Sequence, residues 1–273
     1  MKTNLQDQDY HLPALRELGG DLIQVSRFRR LAALALPFLC CAAYFLFAAI
    51  GWWAPAVVAL MGLSFFSYGS TSHDLVHGSL GLSRRANDFL LCVIELLALR
   101  SGHAYRAAHL HHHARYPHSD DVESTAARKS WLGALVEGPT FQLRIWIWAM
   151  RNVRRDKAWM VDEGVACMVL IVLAAALAPL TPIFLIYAAL MILGSWPIPL
   201  LTSYVPHDPN GRNELSQTRA FRGAVASVLA LEHLYHLEHH LYPSVPHQNW
   251  PKLAQRLDPY LEKAGVKPVK LWF

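Results

Sequence analysis

The chain has 273 residues, 53% of them hydrophobic and only 16% charged, and carries a formal net charge of +5. A charged fraction so far below the usual ~25% argues against an ordinary soluble domain. No nucleic-acid-binding motif is present, so attraction to anionic headgroups suffices to explain the basic balance. Cys40, Cys41, Cys92 and Cys167 all lie in apolar stretches without a C-x-x-C pair, so they suggest neither a disulfide framework nor a thiolate metal site and read as small buried apolar residues.

Residues 1–30 read as a lead-in with no cleavable signal, with a short surface helix expected at 12–25. Residues 31–50 follow without a single charge, long enough to cross a hydrocarbon core of about 30 Å. Gly51-Trp52-Trp53-Ala54-Pro55 predicts a tight turn with tryptophans at the interfacial belt. Residues 56–71 return and deliver His73 just beyond their end, completing a first hairpin over 31–72.

The segment 73–164 is mixed. Its apolar run, 89–99, is interrupted by Glu95 and is too short to span comfortably, so it is expected to be buried or interfacial. Trp146, Trp148 and Trp159 lie among Arg144, Arg151, Arg154 and Arg155, the pattern of a helix at headgroup level. Residues 165–180 and 183–205 predict a second hairpin (165–206) around Pro179-Leu180-Thr181-Pro182. Pro197 and Pro199 should kink or break its last helix. Residues 207–273 are polar, with a closing helix expected at 249–264.

Neither connecting turn contains Lys or Arg, so all 25 basic residues fall on the opposite side. The positive-inside rule then places both termini and every histidine in the cytoplasm, for a protein of the bacterial inner membrane. The expected fold is all-α, one polytopic membrane domain over 1–273. Four transmembrane helices form two hairpins beneath a cytoplasmic helical cap that carries a His-rich di-metal site.

Three histidine clusters organise the chain. His73 and His77 stand at i and i+4. His109, His112 and His113 repeat the pattern three and four apart, and so do His236, His239 and His240. On a helix each cluster shares one face, and neutral imidazoles converging within a turn make a metal half-site. Left without metal, so many rings at the mouth of a bundle would bury unsatisfied polar groups. Eight ligands exceed the four of a structural zinc, which points to two ions. Nitrogen-rich, cysteine-free sites suit iron, copper, nickel or zinc, and ligand chemistry alone does not choose among them. His11, His103, His118 and His247 read as ordinary solvated or hydrogen-bonded side chains. His111 faces away from its cluster, while His233 shares the face of His236 as an outer neighbour.

The clusters HDLVH, HLHHH and HLEHH resemble the histidine boxes of the membrane fatty acid desaturase and hydroxylase superfamily: H-x(3,4)-H, H-x(2,3)-H-H and [HQ]-x(2,3)-H-H, with two hydrophobic hairpins between. The likeness covers roughly residues 30–260. The run His236-Leu-Glu-His-His-Leu-Tyr-Pro-Ser-Val-Pro246 is particularly similar to acyl-lipid desaturases. The resemblance implies two irons, with dioxygen as co-substrate, and box ligands His73, His77, His109, His112, His113, His236, His239 and His240. It also implies a ninth ligand at His207, where the last span leaves the membrane.

The expected activity is that of an oxygen-dependent oxidoreductase, introducing a double bond into a lipid acyl chain. Asp74, Glu238 and Asp208 adjoin ligand histidines and are candidates to accept their second ring N–H. Asp120 and Asp121 either cap the next helix or order the ligands. With no G-x-G-x-x-G fingerprint, iron–sulfur cysteines or fused haem segment, electrons are expected from an external ferredoxin- or haem-protein-like donor with a reductase. Arg151, Arg154 and Arg155 would dock such a partner or read headgroups. The rival readings are a carotenoid ketolase or hydroxylase or a lipid hydroxylase of the same fold, and a non-catalytic metal-binding membrane protein. Transport is disfavoured because the spans are nearly free of ionisable residues.

Overall fold

A computed structural model describes residues 11–223, 225 and 233–271. The chain divides into two compact units, 26–205 and a second made of the N-terminal residues through 25 with 206 onward.

In the unit 26–205 four serines set where helices begin. Ser26, Ser83, Ser101 and Ser130 each accept a backbone N–H from the residue three positions on, which satisfies an otherwise orphaned donor of the first turn. They start α1 (Arg27–Ala49), α4 (Arg84–Leu97), α5 (Gly102–Arg115) and α6 (Trp131–Asn152). α2 (Trp53–Phe66) returns from α1 through the expected tight turn, where Trp52 N–H donates to the Phe47 carbonyl at 2.8 Å. It runs through one turn of π-helix, Ser67–Thr71, into α3 (Ser72–His77). Gly78 ends α3 at φ +66°, a left-handed cap open to glycine at no steric cost. α7 (Lys157–Leu177) and α8 (Ile183–Gly194) complete the helices.

Three helical stretches among the described residues are long and apolar enough to cross a membrane: Gly20–Ala49, Trp53–His77 and Lys157–Leu177. Their outer faces are apolar and exposed, at Leu39, Leu46, Val58 and Met61 and along Val165, Met168, Val169, Val172 and Leu173. Contiguous apolar surface of this kind is costly in water and suited to lipid. The run 183–205 is not one helix. α8 is 12 residues long, and the chain turns at 195–197 before a second π-turn, Leu200–Tyr204, in line with the break expected from Pro197 and Pro199. Gly138 of α6 packs where a Cβ would stand 2.2 Å from the Trp196 carbonyl oxygen, so only glycine admits this approach.

Two apolar clusters hold the unit together. One joins α1, α2 and α8 through Tyr44, Leu60, Leu63 and Met191, with the Tyr44 hydroxyl donating to the Ile183 carbonyl at 2.7 Å. The other gathers α3–α6 around Leu75, Leu91, Ile94, Tyr105 and Phe141. The apolar run 89–99 is buried along one face, at Leu91, Ile94, Glu95 and Ala98, while Phe89 is exposed; Glu95 pairs with Arg100 at 2.8 Å with both side chains sealed from solvent. Arg100 also donates to the Ser67 hydroxyl.

The second unit packs Leu18, Leu22, Leu237, Val245, Trp250, Leu253 and Leu257 into its own core. The lead-in helix is shorter than expected: one turn at Leu15–Leu18, then a 3₁₀ turn at Gly20–Ile23. α9 (His236–Leu241) carries the third histidine cluster, and α10 (Trp250–Lys263) matches the predicted closing helix. β1 (Phe221–Arg222) pairs in parallel with β2 (Val269–Lys270), in the register Phe221 to Val269 and Arg222 to Lys270.

Candidate metal centres

Two helices bring four rings together in the unit 26–205. On α3 the i, i+4 spacing sets the His73 and His77 rings 4.8 Å apart, tilted by 55°. On α5 the same spacing sets His109 and His113 4.7 Å apart. The pairs face one another: His109 Nε2 lies 3.0 Å from His73 Nε2 and 3.2 Å from His113 Nε2. The His77 ring stands 5.0 Å from His109 and 4.9 Å from His113. One ligand atom from each of the four falls within 4.8 Å of the others.

In the second unit His207, His236 and His240 form a near-equilateral triangle of Nε2 atoms. The sides are 3.3 Å from His207 to His236, 3.2 Å from His207 to His240 and 3.2 Å from His236 to His240. Two nitrogens about 2.1 Å from one ion, at tetrahedral or octahedral angles, stand about 3.0–3.4 Å apart. The observed spacings fit that range.

Hydrogen bonding among the rings alone does not account for the triangle. Each Nε2 carries either a proton or a lone pair, and a good contact needs one of each. Around three mutually touching nitrogens at least one contact must join like to like. A cation at the centre removes the conflict, because all three then present lone pairs inward.

In the unit 26–205 the far sides of two rings, His109 and His112, are prepared for metal binding. His109 Nδ1 lies 2.9 Å from Glu123 Oε2, and the Tyr68 hydroxyl donates to the same carboxylate at 2.7 Å. His112 Nδ1 lies 2.7 Å from Asp121 Oδ2, which also accepts from the Ser124 hydroxyl at 2.5 Å. With its proton held at Nδ1 by a carboxylate, an imidazole offers the Nε2 lone pair.

Burial, reinforced by the neighbouring imidazoles His73, His113 and His77, holds His109 well below the usual histidine range and so keeps it neutral. For His112 burial acts downward, but the hydrogen bond and charge of Asp121 outweigh it and the net shift is upward. Burial pushes Asp121 up as well, yet His112 and Ser124 prevail and bring it down to about 2. Glu123 is carried up to about 7, chiefly by burial.

His112 and His239 are buried close to their clusters, with His112 5.7 Å from the His113 ring and His239 5.7 Å from the His240 ring. All nine predicted ligands belong to the groups of histidines whose ligand atoms converge closely enough to hold a metal ion. His103 is bound elsewhere: its Nδ1 meets Glu163 at 2.7 Å and its ring stacks on Trp159. His111 turns toward Asp120 and Trp148. His233 does lie against His236, at 5.2 Å between centroids.

The carboxylates adjacent in sequence mostly act otherwise than expected. Asp208 shapes its own loop, accepting from Asn210 N–H at 3.0 Å. Glu238 pairs with Arg222 at 2.5 Å. Among the described residues, the ring of His112 is held by Asp121, one of two roles considered for it, and that of His109 by Glu123, which sequence reasoning missed. Its only signal was the acidic run Asp120-Asp121-Val122-Glu123 soon after the second cluster.

Apolar helices of spanning length and convergent imidazole sets define the class, a helical membrane protein whose histidines are arranged to bind metal. Residues 50–272 match the family described as Fatty acid desaturase, and the chain belongs to that family. It is accordingly a membrane oxidoreductase of the desaturase and hydroxylase type. A search of curated proteins finds no significant match to this chain.

Proposed function

We propose that the protein is an acyl-lipid desaturase that uses dioxygen and an external electron donor to introduce a double bond into a lipid acyl chain. His73, His77, His109, His112, His113, His207, His236, His239 and His240 hold two irons. The observation that carries this reading is the pair of ring sets, with Nε2 atoms 3.0–3.3 Å apart, inside the region matched by the desaturase family. Irons bound there supply the activation of dioxygen needed to take hydrogen from an unactivated C–H bond, chemistry no side chain provides.

The chain's own part is to fix the His109 and His112 rings through Glu123 and Asp121, and to present apolar surface where a bilayer-dissolved substrate arrives. The 236–246 run, similar to acyl-lipid desaturases, favours an acyl chain over a carotenoid. Four spans, with the metal site on the cytoplasmic side of a bacterial inner membrane, complete the reading, on the strength of the one-sided distribution of Lys and Arg. A ferredoxin- or haem-protein-like donor with its reductase delivers the electrons.

Expression in a host of known lipid composition, followed by mass spectrometry of fatty acids and pigments, tests the substrate. A fatty acid two mass units lighter is expected. A shifted pigment profile instead would establish the carotenoid alternative, and a product heavier by one oxygen would establish a lipid hydroxylase. His112→Ala and His239→Ala should each abolish the product while the protein stays in the membrane. Full product yield from both would refute the ligand assignment.

A further inference from the structure

The third histidine cluster sits on a six-residue helix, α9, too short to hold its own orientation. Its Glu238 lies between His236 and His239 in sequence and is completely buried. A buried carboxylate is expensive unless a cation meets it. Arg222 does so: its Nη2 lies 2.5 Å from Glu238 Oε1 and 2.5 Å from Asp258 Oδ1 on α10. Nη1 donates to the Phe221 carbonyl at 2.7 Å, and the guanidinium lies 5.7 Å from the centre of the Tyr235 ring. Arg222 thus ties α9 and α10 to one strand.

That strand is held at both ends. Toward its start, Thr218 forms an antiparallel bridge with His207, Asp208 N–H donates to the Gln217 carbonyl at 2.8 Å, and Arg219 N–H donates to the Pro206 carbonyl at 2.7 Å. Toward its end, Val269 N–H donates to the Ala220 carbonyl and Leu271 N–H to the Arg222 carbonyl, both at 2.8 Å. One short rail, 217–222, therefore fixes His207 directly and His236 and His240 through Arg222 and Glu238. The strand Val269–Lys270 braces the rail from the far side.

We propose that Arg222 is a positioning residue for the His207–His236–His240 triangle, acting by neutralising Glu238 on a rail that the C-terminal strand Val269–Lys270 holds in place. This rests on the reading of the triangle as a metal site. Outer partners of ligand histidines set their orientation, and losing one weakens metal binding by about 10–100-fold. Lysine does not replace this arginine fully: besides the Nη2 that meets both carboxylates, Nε donates to Asp258 at 3.1 Å and Nη1 to the Phe221 carbonyl, and a single ammonium on a flexible stem does not reproduce that rigid fork.

The test uses full-length protein in detergent, stripped of metal and titrated with Co2+. The cobalt absorption bands report the geometry of the bound ion, and a thermal melt is recorded alongside. Wild type should bind two Co2+ per chain. Arg222→Met should weaken one of the two by about 10–100-fold and change that ion's bands, and Arg222→Lys should recover part of the loss. The double variant Arg222→Met/Glu238→Gln removes the stranded charge together with its partner and should melt higher than Arg222→Met alone. Val269→Pro deletes the N–H that braces Ala220 and should weaken the same site without touching any charge.

Should wild type bind no Co2+, the metal reading itself falls. Should wild type bind two while Arg222→Met and Val269→Pro leave affinity and bands unchanged, Arg222 has no positioning role. A double variant that melts no higher than Arg222→Met removes the charge-compensation argument even if Arg222→Met fails to fold.

Discussion

The two ring sets reach nearly the same nitrogen spacing by different means. His73, His77, His109 and His113 project from regular helices at i, i+4 positions, and His109 is locked from behind by Glu123. His207, His236 and His240 come from a loop and a six-residue helix. Their scaffold is a strand fragment and an arginine between two carboxylates. A helix face delivers ligand geometry almost by periodicity alone. A short irregular segment must have that geometry imposed by long-range contacts. The first set is therefore expected to tolerate changes in distant strands, and the second to be sensitive to them.

The largest effect bearing on this contrast should come from the support beneath the helical set. Glu95→Gln leaves the Arg100 guanidinium buried without its carboxylate, and breaking such a pair from one side costs about 3–5 kcal/mol. Denaturation of purified protein in detergent measures it. A loss below about 1 kcal/mol would mean that water or another group replaces Glu95.

Next in size is Glu123→Gln, which leaves a neutral acceptor beside His109 and removes the charge. Metal affinity at the helical set should fall by about 10-fold, toward the lower end of the range for outer-partner changes, with the triangle unaffected. Equal weakening at both sets would dissolve the distinction drawn between them.

A smaller effect concerns α6. Burial raises the Glu137 carboxyl, but Lys129, Arg144 and Thr125 outweigh it and hold it below the ordinary value. A carboxylate depressed in the folded state contributes stability that is present above the unfolded pKa of about 4.3 and lost as pH falls below it. Melting temperature should therefore drop more steeply below about pH 4 in wild type than in Glu137→Gln. The smallest expectation is Arg84→Ala: Arg84 is exposed and meets Asp88 only at 3.7 Å, a contact that should be worth less than about 0.5 kcal/mol in a melt.

The histidine spacings were legible because helical periodicity maps sequence separation onto direction. The tight turn at 51–55, the break near Pro197 and the closing helix were legible from local chemistry alone. Glu123 was not. It reaches His109 only because the loop after α5 folds back, and nothing local encodes that return. Arg222 was equally hidden, sixteen positions before Glu238 and joined to it through a two-residue strand too short to leave an alternating pattern. Across 183–205 hydropathy persists past Pro197 while the helix does not, and the prolines rather than the apolar length carried that information.

The widened turn at Ser67–Thr71 has one more consequence. A π-turn carries an extra residue, and each residue of an α-helix advances the side-chain direction by about 100°. The bulge therefore works as a phase shifter on the second apolar helix: everything after it is rotated relative to everything before. Deleting one residue from 67–71 would keep the hydrophobic length nearly intact yet swing His73 and His77 to another side of the helix. The membrane face and the metal face of this polypeptide are thus set independently, by the two halves of one helix clocked apart.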